Sequence, residues 1–227
     1  MIICFAGCDK TDPSYQNSSA SEPSTTDNTE NTAINQEDDD VLLSVLYNKT
    51  PFITAKGTTV YMKDYKPFYK YPDDIDYYEK DNVFVPGDYA YVDLDKDGRN
   101  ELVVSESPYA DTYLILYKTS DKIYGCSLYG RWFQSLKSDG TFLSSGGAYS
   151  NSYNTISFNE NIYNISTIAK FDFIADTEKP SSDKYGFEPD YEKSVFEIKG
   201  KKVSFDEIEK FVEEWDKRPE AEWIKFE

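Results

Sequence analysis

The sequence predicts an α+β fold, mostly β: an antiparallel meander, sandwich-like or partial-propeller sheet, with a short N-terminal helix and one C-terminal amphipathic helix. Three observations carry this reading. Short runs rich in Tyr, Phe, Ile and Val follow one another from Tyr89 to Lys199, separated by Asp-Gly, Asn or Ser turns and not by helical patterns. Ser204-Phe-Asp-Glu207 is a capping box, placed directly before an apolar stripe. The composition changes near Asp40, from a segment that can bury almost nothing to one that can build a core.

Taken in chain order, Val41 to Tyr47 reads as a short helix, with acidic residues at its N-terminus where the helix dipole favours them. Strands are expected at Tyr89–Asp93, Glu101–Ser105, Thr112–Lys118, Lys122–Tyr129, Trp132–Leu136, Thr141–Ser144, Tyr153–Phe158, Asn161–Phe173 and Ser194–Lys199. Lys199-Gly-Lys201 reads as a turn. Phe205, Ile208, Phe211, Val212 and Trp215 then share one face of a helix, while Glu209, Lys210, Glu213 and Glu214 face water. Pro219 lies beyond its end, and the helix is expected to cover the sheet.

The chain carries 42 acidic and 24 basic residues, a net charge of −18, which argues against nucleic acid as a partner. It contains no histidine. Ser-His and Cys-His nucleophile pairs, histidine-ligated metals and histidine acid–base chemistry are therefore excluded. Of the three cysteines, Cys126 stands apart from the N-terminal pair, Cys4 and Cys8, and reads as a small buried hydrophobe.

Residues 89–104, Tyr-Ala-Tyr-Val-Asp-Leu-Asp-Lys-Asp-Gly-Arg-Asn-Glu-Leu-Val-Val, form the most specific segment. Counted from Asp93, carboxylates fall at positions 1, 3, 5 and 9 (Asp93, Asp95, Asp97, Glu101), with Gly98 at position 6. Ca²⁺ takes oxygen ligands from loops of this kind through alternate side chains and a backbone carbonyl at position 7, here that of Arg99. Position 12 is Val104, so the bidentate glutamate of an EF-hand is absent and Glu101 must act from position 9. Four carboxylates within nine residues repel one another unless a cation offsets them. The expected affinity is weak, on the order of 10⁻⁴–10⁻³ M, with the ion pinning two strands.

This segment resembles the calcium loops of FG-GAP and VCBS-type repeats, in which a strand enters, the loop holds an ion, and a second strand leaves as Glu-Leu-Val-Val. One copy is present, so a complete multi-bladed propeller is not implied. Val103 to Phe158, with Tyr113-Leu-Ile-Leu116, Arg131-Trp-Phe133 and Leu136-Lys-Ser-Asp-Gly-Thr-Phe142, looks like single-loop surface lipoproteins of anaerobic gut bacteria. No reaction carries over from that resemblance.

Phe5-Ala6-Gly7-Cys8 resembles the end of a bacterial lipoprotein signal. That resemblance implies residues 1–8 as a signal remnant with a lipidated Cys8, and attachment to the outward face of the bacterial cell envelope. Residues 9–40, with nine acids and one lysine, then read as a disordered polar tether, and 41–227 as a single β-rich calcium-binding domain.

Tyr61, Tyr65, Phe68, Tyr69 and Tyr71, interleaved with lysines and prolines, form a candidate surface for a protein or carbohydrate ligand. The same rings could instead pack over a sheet. Ser144-Ser-Gly-Gly-Ala148 lacks the following helix and the Lys-Ser/Thr pair of a phosphate loop, and reads as a turn. The sequence thus points to a tethered, calcium-stabilised binding or scaffold protein and away from an enzyme. The alternative is a hydrolase using two carboxylates about 5–10 Å apart, as glycosidases do.

Overall fold

The computed structural model describes residues 27–70, 77–147, 149–176 and 189–227. Helix α1 spans Asp27–Leu46. It is followed by the short strands β1 (Phe52–Thr54), β2 (Thr59–Val60), β3 (Phe68–Lys70) and β4 (Tyr77–Glu79). The expected meander comes next as β5 (Pro86–Val92), β6 (Glu101–Glu106), β7 (Thr112–Thr119) and β8 (Lys122–Tyr129), each antiparallel to its neighbour. β1 extends this sheet by pairing parallel to β8, and β2 closes the edge, giving the order β2-β1-β8-β7-β6-β5. The tail after the second helix stitches onto the opposite edge through reciprocal backbone bonds between Tyr89 and Ile224, at 2.9 and 2.7 Å.

A second, five-stranded antiparallel sheet has the order β13-β12-β11-β10-β9, with β9 at Phe142–Gly147, β10 at Ser150–Asn159, β11 at Ile162–Asp172, β12 at Val195–Ile198 and β13 at Lys201–Lys202. Helix α2 spans Phe205–Asp216 and begins with the expected capping box: the Ser204 hydroxyl accepts the Glu207 N–H, and the Glu207 carboxylate accepts the Ser204 N–H at 2.8 Å.

Three apolar clusters hold four layers together. Leu42, Val45 and Leu46 of α1 pack on Leu102, Val104, Leu114 and Leu116 from one face of the first sheet. Val103, Ile115, Tyr117 and Cys126 point to its other face, where Phe142 and Ile156 of the second sheet meet them with Phe133 and Leu136. On the far side, Tyr153, Ala169 and Phe196 take Ile208 and Trp215 of α2. The order is helix, sheet, sheet, helix, and it explains why β6 reads as the unbroken run Leu102-Val-Val: a central strand covered on both faces alternates between two cores. Gly125 marks a close approach inside the first sheet, because a Cβ there would meet the Phe52 ring at 2.6 Å.

Several expectations are corrected. The N-terminal helix starts at Asp27, not at Val41, so the tether expected up to Asp40 does not extend through residues 27–40. The physical reason is visible in its second half: Asp38, 7 % exposed, pairs with Lys118, and the Tyr91 hydroxyl donates to the Asp39 carbonyl at 3.1 Å. These contacts give acidic residues a place against the sheet. Residues 9–26, like Cys4 and Cys8, lie outside the described residues. Trp132–Leu136 is not a strand. It is a single 3₁₀ turn, Gly130–Trp132, then a one-residue bridge from Gln134 to Leu143, and the left-handed Ser135 (φ +47°) turns the chain so that both Phe133 and Leu136 enter the core.

Candidate functional site

The loop between β5 and β6 folds back on itself through its own carboxylates. The Asp95 carboxylate accepts the Asp97 N–H at 3.2 Å, and Asp93 Oδ2 accepts the Gly98 N–H at 3.3 Å. Gly98 sits at φ +87°, a left-handed conformation that glycine adopts without a Cβ penalty, and turns the loop at its position 6. Glu101, the first residue of β6, turns inward and accepts the Leu94 N–H at 2.7 Å.

This folding brings carboxylate oxygens of Asp93, Asp95 and Glu101 to within 4.8 Å of one another. Glu101 is only 4 % exposed. Its burial, reinforced by Asp95, Asp97 and Asp93, pushes the carboxyl up to about 8, although the Leu94 N–H works the other way. Burial also raises Asp95, with Asp97 and Asp93 adding to the effect. Asp93 Oδ1 is buried without a hydrogen-bond partner. Three carboxylate oxygens gathered in this way are of the type that hard cations take as ligands.

Of the expected ligands, Asp97 stands outside this group. Its carboxylate is taken by Arg99, whose Nε donates at 3.0 Å and whose terminal nitrogen closes a second bond to the same oxygen. Arg99, whose carbonyl is the expected ligand, also donates its backbone N–H to Asp97 Oδ1 at 2.9 Å. The neighbouring Asp39 was not expected at all. Its carboxylate receives Asn100 Nδ2 at 3.4 Å, and burial raises its pKa. The Glu37-Asp-Asp-Asp40 run is the signal for it, and nothing local tells an acidic stretch of helix from a linker.

The loop is also keyed to the second sheet. The Phe158 N–H of β10 hydrogen-bonds the Asp95 carboxylate, and the Phe158 ring stacks on Tyr117 at 4.1 Å. A loop held by β6 on one side and β10 on the other can pass the effect of a bound ion to both sheets.

The candidate ligand surface is corrected. Tyr65 is 1 % exposed and Phe68 and Tyr69 are buried as well; Tyr65 packs edge-on against Phe52 and bonds the Ser127 hydroxyl at 2.6 Å. Only Tyr61 is exposed, and Tyr71 lies outside the described residues. The rings fill the space over β8, because a 2.6 Å partner for the Tyr65 hydroxyl removes the one polar group that would have kept the ring in water.

Cys126 is buried in the central core, which pushes its thiol up and leaves it unreactive. Glu106 and Asp111 form a carboxylate pair, but one ammonium occupies both: Lys80 Nζ bridges them at 2.6 and 3.0 Å. An ion-paired couple of this kind is tied to the lysine and does not present a free acid and base to a glycosidic bond. No described helix is long and apolar enough to cross a membrane. Compared with family models, curated proteins and solved structures, the chain matches none, so the likeness of residues 89–104 to FG-GAP and VCBS loops rests on those residues themselves.

Proposed function

We propose that the chain is a binding or scaffold protein in which Ca²⁺, held through Asp93, Asp95 and Glu101 with the Arg99 carbonyl, pins the β5–β6 loop between two sheets. The observation that carries this reading is the convergence of three carboxylates, with the buried Asp93 Oδ1 left unpartnered among them. The ion would act as a strut and not as a Lewis acid, because the loop supplies hard oxygens on a tight turn and the contacts around it are strand contacts.

A lipid on Cys8 would hold the protein at the outer surface of the bacterial cell envelope; Phe5-Ala6-Gly7-Cys8 supports that part of the proposal. Binding is favoured over hydrolysis by the Lys80 bridge that occupies Glu106 and Asp111.

The test is a thermal melt of the chain in chelator and across a Ca²⁺ titration. An ion that binds only the native state raises stability by RT ln(1 + [L]/Kd), so the midpoint climbs with concentration. Identical melts in chelator and in about 5–10 mM Ca²⁺, above the expected affinity class, would overturn the proposal.

A further inference from the structure

The second sheet has an inner face whose two ends differ. Near the first sheet it is apolar, with Phe142 and Ile156 in the shared core. Farther along the same strands it turns polar. A groove of about 1020 Å³ opens there, floored by Leu128 and Trp132 and walled by β9, β10 and β11.

Its polar wall is organised around one residue. Asn154 is 1 % exposed. Its Nδ2 donates to Ser144 Oγ at 2.8 Å and to Ser152 Oγ at 3.1 Å, while its Oδ1 accepts the Thr167 hydroxyl at 3.0 Å. Ser144 Oγ in turn donates to the Trp132 carbonyl at 2.7 Å. A bulge supports the arrangement: the β10–β11 register skips Ile168, so that Tyr163, Ile165 and Thr167 before it and Lys170 and Asp172 after it all line the same groove.

Hydrogen-bond arithmetic narrows the ligand. Thr167 spends its hydroxyl proton on Asn154 and keeps lone pairs. Ser152 accepts from Asn154 and keeps its proton. The wall therefore offers both donors and acceptors, the complement of a hydroxyl-bearing molecule and a poor match to an anion, which needs donors alone. The two charges are spoken for: Lys170 pairs with Glu197 at 3.4 Å and Asp172 accepts the Ser150 hydroxyl. Half-buried Trp132 is held edge-on by Tyr69 and Tyr129, at 5.9 and 5.6 Å, and with Tyr163 supplies aromatic surface for the C–H face of a sugar ring. The volume lies at the upper end of the roughly 300–1,000 Å³ of small-molecule sites, and the net charge of −18 disfavours acidic polymers.

We propose that this groove binds a short neutral oligosaccharide. The inference rests on the binding-protein reading for its purpose but not on the cation, since none of the loop carboxylates lines the groove.

The test is calorimetric titration of the whole chain with hexasaccharides of the cello-, xylo-, manno- and malto- series, alongside a polyuronate and an uncharged extended peptide, each in Ca²⁺ and in chelator. The expected result is saturable binding of at least one neutral series, with the polyuronate at least tenfold weaker. Thr167→Val and Ser152→Ala together should weaken binding at least tenfold in a chain that still unfolds cooperatively, at a lower midpoint because Thr167→Val strands Asn154 Oδ1. Ser152→Ala alone leaves Asn154 Nδ2 bonded to Ser144 Oγ and the Ser152 carbonyl, so it should keep the midpoint and still weaken binding, and Trp132→Leu provides a further, independent loss. Silence of all four neutral series, preference for the peptide or the polyuronate, or affinity indifferent to these substitutions would overturn the proposal. Sugar binding with melts indifferent to Ca²⁺ would remove the cation reading and leave the groove standing. A Ca²⁺-dependent melt without sugar binding would do the reverse.

Discussion

Glu101 Oε2 accepts the backbone N–H of Leu94 at 2.7 Å, across the loop that joins β5 to β6. One side chain thereby closes the loop and carries the charge that a cation would answer, and the two roles separate by substitution. Glu101→Gln keeps an acceptor for Leu94 but removes the charge. At ten times Kd, a single native-state site adds about 1.4 kcal/mol. Less than half of that rise in unfolding free energy should survive in Glu101→Gln, while its stability in chelator equals or exceeds that of the parent, because a buried repelling carboxylate is gone. Urea unfolding with and without Ca²⁺ measures both quantities.

Helix α1 is expected to be part of the cooperative unit. Asp38 pairs with Lys118 of β7, and Leu42 is fully buried against the first sheet. Leu42→Ala should cost about 2–5 kcal/mol, the range for a buried leucine. A version of the chain beginning at Val41, which lacks Asp38 and Asp39, should be less stable than one beginning at Asp27 by about 1–3 kcal/mol, because Lys118 loses its charged partner. Equal denaturation midpoints for the two would show that the first turns of α1 do not contribute.

The seam between α2 and the sheets rests on a polar relay. Trp215 Nε1 donates to Thr141 Oγ1 at 2.9 Å, Thr141 donates to Asp139 at 2.6 Å, and Arg218 closes on Asp139 at 2.8 Å. Thr141→Val strands the buried indole N–H and should cost about 1–3 kcal/mol. Combined with Trp215→Phe, the loss should be less than the sum of the two, since each already breaks the same bond. A double-mutant cycle by chemical denaturation checks this.

The same relay sets a small acid dependence. Burial works against the charge on Asp139, but the Thr141 hydroxyl and N–H and the Arg218 guanidinium outweigh it and hold the carboxyl below its usual value. A depressed carboxyl stabilises the fold above its unfolded pKa, about 3.9, and that contribution is lost as pH falls through the lower folded value. Asp139→Asn should therefore flatten the acid limb of stability between about pH 4 and pH 2, by less than about 1 kcal/mol because the carboxylate is partly solvated. Parallel acid limbs in parent and variant would contradict this.

What could be read from sequence alone was whatever is decided within a few residues. The capping box at Ser204 and the stripe from Phe205 to Trp215 are spaced at three and four residues, so a single turn of chain determines them. The left-handed Gly98 and the carboxylates at alternate positions from Asp93 are local in the same sense, as are β6, β7 and β8, whose turns and β-branched runs lie side by side. Only the tertiary structure decided the rest. Tyr65, Phe68 and Tyr69 carry the composition of a ligand surface and become core because β8 lies over them, some sixty residues later in the chain, with Ser127 meeting the tyrosine hydroxyl. The acids at 38–39 belong to a helix because Lys118 and Tyr91 of the first sheet meet them there. The groove is invisible as a motif: its wall joins Ser144, Ser152, Asn154 and Thr167 from three strands, and a one-residue bulge at Ile168 determines which side chains of β11 face it. A slip of one residue exchanges the faces of a strand, and register is set by the pairing of distant segments, which no local pattern records.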